Sequence, residues 1–385
     1  MSALWRPDKA REMFSRLDME SLWILMGSAC SLVYFTALAD ARTPFLLGLS
    51  AMLLVSVMLF LRSPLNVIGF SASLVVAFWV IGKQPLGWDA ASFELQGYYD
   101  WKNGLRGAYW DYSKLPSMLF GFGYTLGRDA YRLVYALQIV LLALGLSQVT
   151  VGQRNGLFFL IVTWVMINVL PQLFEHGKGD VLVLGFSLVA LAFAPIREDH
   201  PHLGRHWIIF LLFSSLAIAA KLSAVIAMLP LFLASLCLGK PIECLRKAGF
   251  WIISAAIVAL GNFSTFFYNL FHYGSVLDFE SARLGKGFSL INHLPDLLKG
   301  ALNFPPNPLA ATILLVALLG LESLFFRKHP IQLRIRNATL IASLLLNPLV
   351  MLFDFRASTN FRLIAFPLLG ILAINVWRPS GNATS

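Results

Sequence analysis

Apolar residues run along the chain in stretches of 14 to 23, separated mostly by short polar breaks. At about 1.5 Å per helical residue, such stretches cross or nearly cross a hydrocarbon layer about 30 Å thick. They predict twelve helices, over 21–39, 44–62, 66–82, 131–150, 155–171, 180–196, 207–220, 222–238, 249–271, 308–326, 338–354 and 362–378. The fold class is therefore an all-α polytopic membrane protein, with 21–378 as a single transmembrane domain. Residues 1–20 carry four basic and four acidic residues and no small-residue cleavage site. They read as a cytoplasmic N-terminal segment rather than a signal peptide, and 379–385 reads as a cytoplasmic tail.

Composition sharpens this picture. Of 385 residues, 58% are apolar and only 13% charged, about half the roughly 25% charge of a soluble domain. A single soluble core is excluded. The net charge of +10 could suggest nucleic acid, but the basic residues sit in the short loops between apolar runs, where they orient membrane helices. With a cytoplasmic N-terminus, the basic groups at Arg6, Lys9, Arg11 and Arg16, at Lys240, Arg246 and Lys247, and at Arg327, Lys328, Arg334 and Arg336 all fall inside. The short outer loops hold only Arg42, Lys178, Lys221, Arg356 and Arg362. This bias also resolves 207–238 into a short helix pair turning at Lys221, since one long helix would put the later basic clusters outside. The three cysteines, Cys30, Cys237 and Cys244, form neither a disulfide framework nor a metal spacing.

Two outer segments are long, 83–130 and 272–307, and long connections are commonly functional. In the first, a helical projection of 88–100 puts Asp89, Ser92, Phe93, Gln96 and Asp100 on one face and Trp88, Ala91, Leu95, Tyr98 and Tyr99 on the other. This helix is expected to lie flat on the outer leaflet, its aromatic side at headgroup level. Carboxylates are nearly absent from span interiors, which argues against an ion-coupled relay. Most of them fall on the outer side, so chemistry is expected there.

The order Trp88-Asp89-x-x-x-Phe93-Glu94, then Tyr98-x-x-Trp101-x-x-Gly104, then Tyr112-Ser-Lys114-Leu-Pro116 resembles the first outer loop of the C-type glycosyltransferase superfamily. That group includes protein O-mannosyltransferases and lipid A aminoarabinose transferases. Gly127-Arg128-Asp-Ala-x-Arg132, Gly179-Asp180, Lys221 and Asn360-Phe-Arg362 agree with it. Two departures are an additional span before the Asp89 loop and the missing soluble C-terminal domain of many members.

The resemblance implies a C-type glycosyltransferase-like fold and transfer of a sugar from a polyprenyl-phosphate donor to a glycan, lipid or protein acceptor at the extracytoplasmic face of a bacterial inner membrane. A polyprenyl phosphate leaves without protonation, so inversion needs one carboxylate base and cations for the departing phosphate. Asp89 matches the family's catalytic aspartate, against the alternative of a helix-terminal carboxylate stabilised by the dipole. Glu94, on the opposite side of the helix, is the second candidate base. Lys114 matches a phosphate-binding lysine, with snorkelling as its alternative. Lys221, Arg356 and Arg362 are further phosphate candidates. Glu175, Lys178 and Asp180 share one outer turn as acceptor or secondary residues, with Asp180 otherwise an N-cap. No metal-ligand signature is present, although some members of the group use a divalent cation. Membrane lipids are expected partners and nucleic acid is not. Two other classes compete: a lipid or glycan-lipid transporter or flippase, and an O-antigen polymerase or ligase.

Overall fold

A computed structural model describes residues 18–62, 95–105, 114–150, 180–195 and 202–221, with single helical positions at 224, 228, 232, 235, 236, 243, 270 and 271. The described residues are helical and contain no strand. In chain order the helices are α1 (Met19–Leu38), α2 (Arg42–Leu61), α3 (Gln96–Lys102) and α4 (Lys114–Pro116). A π-helical turn (Ser117–Gly121) then leads into α5 (Phe122–Thr125), followed by α6 (Arg128–Thr150), α7 (Asp180–Ala192) and α8 (Leu203–Ala220). The spans expected at 66–82, 155–171, 308–326, 338–354 and 362–378 lie outside the described residues.

Among the described residues three helices are long and apolar enough to cross a membrane: α1 and α8, each with mean hydropathy 1.6, and α2 with 2.4. Their outward faces agree with that reading. On α2 the exposed Leu47, Leu54 and Leu61 recur every seven residues, and on α1 Leu25 and Leu32 do the same. Such stripes are a liability in water and are satisfied by lipid. Hydroxyls inside these helices bond to their own backbone, as an apolar surround requires. Ser31 donates to the Gly27 carbonyl at 3.0 Å and Ser56 to that of Met52 at 2.7 Å.

Side-chain contacts fix the relative directions of the helices. Arg205 donates to Asp18, His206 Nε2 lies 3.9 Å from Glu20, and Trp23 Nε1 donates to Gln148 at 3.2 Å. The Trp23 and Phe193 rings are 6.0 Å apart. Those residues mark one end of the bundle; Asp40, Tyr98 and Lys102 mark the other. Consequently α1 and α8 run together, while α2, α6 and α7 run opposite to them.

At the centre is α7, whose residues Val181 to Ala190 include no exposed or half-buried position. A helix that is apolar all round is a core helix, and its tight seat on α6 is set by small residues. A Cβ on Gly145 would come within 2.9 Å of the Gly185 carbonyl oxygen, and one on Gly185 within 3.2 Å of the Leu141 backbone. α6 keeps Gln138 fully buried, which lowers the apolar character of a helix that faces protein rather than lipid.

The chain turns at Lys221, where the sequence places the turn of a helix pair. α8 ends at Ala220, Lys221 is extended (φ −160°, ψ 128°), and the chain then runs back along α8. Ser214 reaches Met228 at 3.6 Å, and the Phe210 and Phe232 rings stack at 6.5 Å.

Candidate functional site

The end of the bundle marked by Asp40 is built on the α1–α2 turn. Ala41 N donates to the Thr36 carbonyl at 2.8 Å and Asp40 N to that of Ala37 at 3.1 Å. Those two bonds form a Schellman ending in which Asp40 occupies the left-handed position, at φ +54°, that glycine usually takes. There its carboxylate receives the Lys102 ammonium at 2.9 Å and the Tyr98 hydroxyl at 3.2 Å.

α3 is thereby docked. Tyr98 is fully buried, with its ring 5.9 Å from Phe122 and 6.3 Å from Trp101, and Lys102 sits 5.8 Å over it. Burial raises the Tyr98 pKa first, and the Asp40 charge adds to it. The hydrogen bond that Lys102 donates to Asp40 raises the Lys102 pKa. On the same helix, a Cβ at Gly97 would come within 3.0 Å of Ser117 Oγ, so glycine lets α3 close on the π-helical turn. The polar face carries Gln96, which donates to Asp100 at 2.7 Å. Sequence reasoning expected Tyr98 and Tyr99 together at the headgroups. Instead Tyr98 points into the protein and Tyr99 stays exposed, because the Asp40 carboxylate and the Phe122 ring offer Tyr98 both a polar and an apolar partner.

Lys114 lies deeper than an outer loop implies. It is only 4% exposed, α4 packs against α8, and neighbouring Leu115 lines one cavity with Cys30, midway along α1. Pro116 falls in the first turn, where its missing N–H is tolerated. The following π-helical turn is a rare element often found at functional sites. Snorkelling is therefore a poor description of Lys114, and an ammonium buried among spans is costly unless it serves a purpose.

Below Lys114 a cavity of about 10 Å³ is lined by Cys30, Met52, Leu119, Gln138 and Phe186, among others. It has room for a single water, so neither a sugar nor an isoprenoid fits there.

Of the other sequence-expected residues, Lys221 ends α8 and is half-buried, and Asp180 opens α7. Asp89, Glu94, Glu175, Lys178, Arg356 and Arg362 lie outside the described residues. Among the described residues no cluster of His, Cys, Asp or Glu could hold a metal ion. The residue that sequence reasoning missed is Asp40; its signal was a lone acid in a four-residue turn between two apolar runs. Compared with protein-family models, curated proteins and solved structures, the chain matches none.

Proposed function

We propose that the chain is an integral-membrane glycosyltransferase of twelve spans that moves a hexose or pentose from a polyprenyl-phosphate donor to an acceptor at the extracytoplasmic face. Asp89 serves as base. As the acceptor oxygen attacks the anomeric carbon, its proton passes to the Asp89 carboxylate. The bond from that carbon to phosphate breaks, and its electron pair leaves on the phosphate oxygen. Cations then stabilise the departing charge more than the ground state. Lys114 takes that role, with Lys221, Arg356 and Arg362 as further donors to phosphate and Glu94 as the reserve base. Glu175, Lys178 and Asp180 line the acceptor side.

The observation that most supports this reading is the buried Lys114, carried on a short helix and a π-helical turn inside the bundle, in the segment whose pattern resembles the family's phosphate-binding stretch. The same burial also favours a second reading, a carrier for anionic lipids, which needs the cation but no base.

Native mass spectrometry of the purified protein tests the first step. A co-purifying polyprenyl phosphate or its sugar conjugate is expected, and its absence alongside bound bulk phospholipid overturns the donor assignment. Asp89→Asn then separates enzyme from carrier. Transfer in reconstituted vesicles should fall by about 10²–10⁴-fold, the usual range for loss of a general base, while donor binding is kept. Unchanged transfer would put the base elsewhere.

A further inference from the structure

We infer that Asp40 is a positioning residue: from the α1–α2 turn it clasps α3 through Lys102 and Tyr98 and so fixes, at the outer end of the bundle, the helix into which the Asp89 stretch runs. The inference rests on the proposed function for its catalytic consequence and on geometry for the clasp itself.

Three observations converge on Asp40. It is the one non-glycine residue with positive φ among the described residues, a conformation that L residues adopt only under local constraint. That conformation lets the carboxylate engage both partners, one oxygen for each, across sequence separations of 58 and 62 residues. Finally, α3 has only seven residues, too few to be stable alone, so its place depends on what holds it. Holding points among the described residues include Asp40, the Phe122 ring and the Gly97–Ser117 approach. The Asp40 clasp ties α3 to the long α1–α2 hairpin by directed polar bonds. Gln96 opens α3, seven positions after Asp89. On the proposed function the base is thus close in sequence to a helix that Asp40 holds, and about 1 Å of misplacement can cost about 10²-fold in rate.

Asp40→Gly isolates the effect. Glycine suits the left-handed backbone better than aspartate, so the hairpin should be kept while the carboxylate is lost. Spin labels at Tyr99→Cys and Leu47→Cys, both exposed, report the α3–α2 distance in a background with the three native cysteines replaced. In Asp40→Gly we expect a broadened distance distribution and a thermal midpoint that stays level or rises. Transfer from a polyprenyl-phosphate hexose or pentose should fall about 10- to 10²-fold in kcat, with donor KM moving far less. Lys102→Ala should act in the same direction, and the exchange Asp40→Lys with Lys102→Asp should narrow the distribution again.

An unchanged distribution in Asp40→Gly overturns the clasp. A broadened distribution with intact transfer overturns its role in the reaction. A midpoint that falls in step with transfer reduces Asp40 to hairpin stability and also overturns it. If the wild-type protein transfers nothing from either donor, the proposed function fails, and the spin-label distances alone then decide the clasp.

Discussion

Asp18, the N-cap of α1, shows how one side chain can serve two helices. It accepts the Ser21 backbone N–H at 2.9 Å and also receives Arg205 from α8. Chiefly through the Ser21 bonds, its pKa is lowered to about 2. A carboxyl group with a depressed folded-state pKa stabilises fully above its unfolded value, near 3.9. The contribution is lost as pH falls through about 2. Asp18→Ala should therefore cost about 1 kcal/mol, the usual value of such a cap, in detergent unfolding at neutral pH. The difference from wild type should shrink between about pH 4 and 2, and a constant difference across that range would remove the cap from the explanation. Lys114 makes the opposite contrast. Lys114→Met keeps the apolar stem and removes the buried charge. We expect donor binding weakened at least about tenfold, as for loss of a point charge on phosphate. Equal donor affinity in the two proteins would take Lys114 out of the phosphate site.

Among elements, the α6–α7 pair is the most sensitive to added volume. Gly145 and Gly185 face each other's backbones closely enough that a Cβ on either would sit at 3.2 Å or less. Helices in lipid gain most of their association from such close approach. Gly185→Val should force the pair apart at a cost of about 1–3 kcal/mol, typical of overpacking. Gly204→Ala, which meets nothing within 4 Å, should be nearly silent. Comparable losses from both would show that the close contact carries no special weight. The long elements were legible in the sequence because an unbroken apolar run has few alternatives: α1, α2, α6, α7 and α8 start within four residues of the expected positions. The break at Lys221 followed from charge bias. The short elements were not legible. The burial of α4 and the π-helical turn depends on contacts with α1, α6 and α8. The inward turn of Tyr98 depends on Asp40, 58 positions away. No local pattern records either.

For the whole molecule, the testable quantity is sidedness. Opposed ends of the bundle carry Asp18, Arg205 and His206 on one side and Asp40, Tyr98 and Lys102 on the other. The positive-inside bias assigns the first set to the cytoplasm. Single cysteines at Ser92 and Ser289 should react with an impermeant maleimide from outside, whereas Ser380 should react only in permeabilised cells. The reverse pattern would invert the topology and move every proposed site residue to the wrong face. Much of the candidate site stays a sequence expectation. Asp89, Arg356 and Arg362 rest on motif and topology, whereas Lys114, Lys221 and Asp40 also have a described position in the fold.

The pairing of α1 with α8 has a consequence for how the protein is made. Asp18 and Arg205 are 187 residues apart, and a Cβ on Gly27 would collide with the Leu212 side chain of α8, so the two helices mesh closely. When the ribosome has completed α7, α1 has been made but its partner has not. α1 therefore reaches its final place late, after about 200 further residues of synthesis at roughly 5–20 residues per second. For those ten or more seconds the face of α1 that carries Trp23 and Gly27 is left to lipid or to an insertase, and the bundle closes around α1 only when α8 arrives.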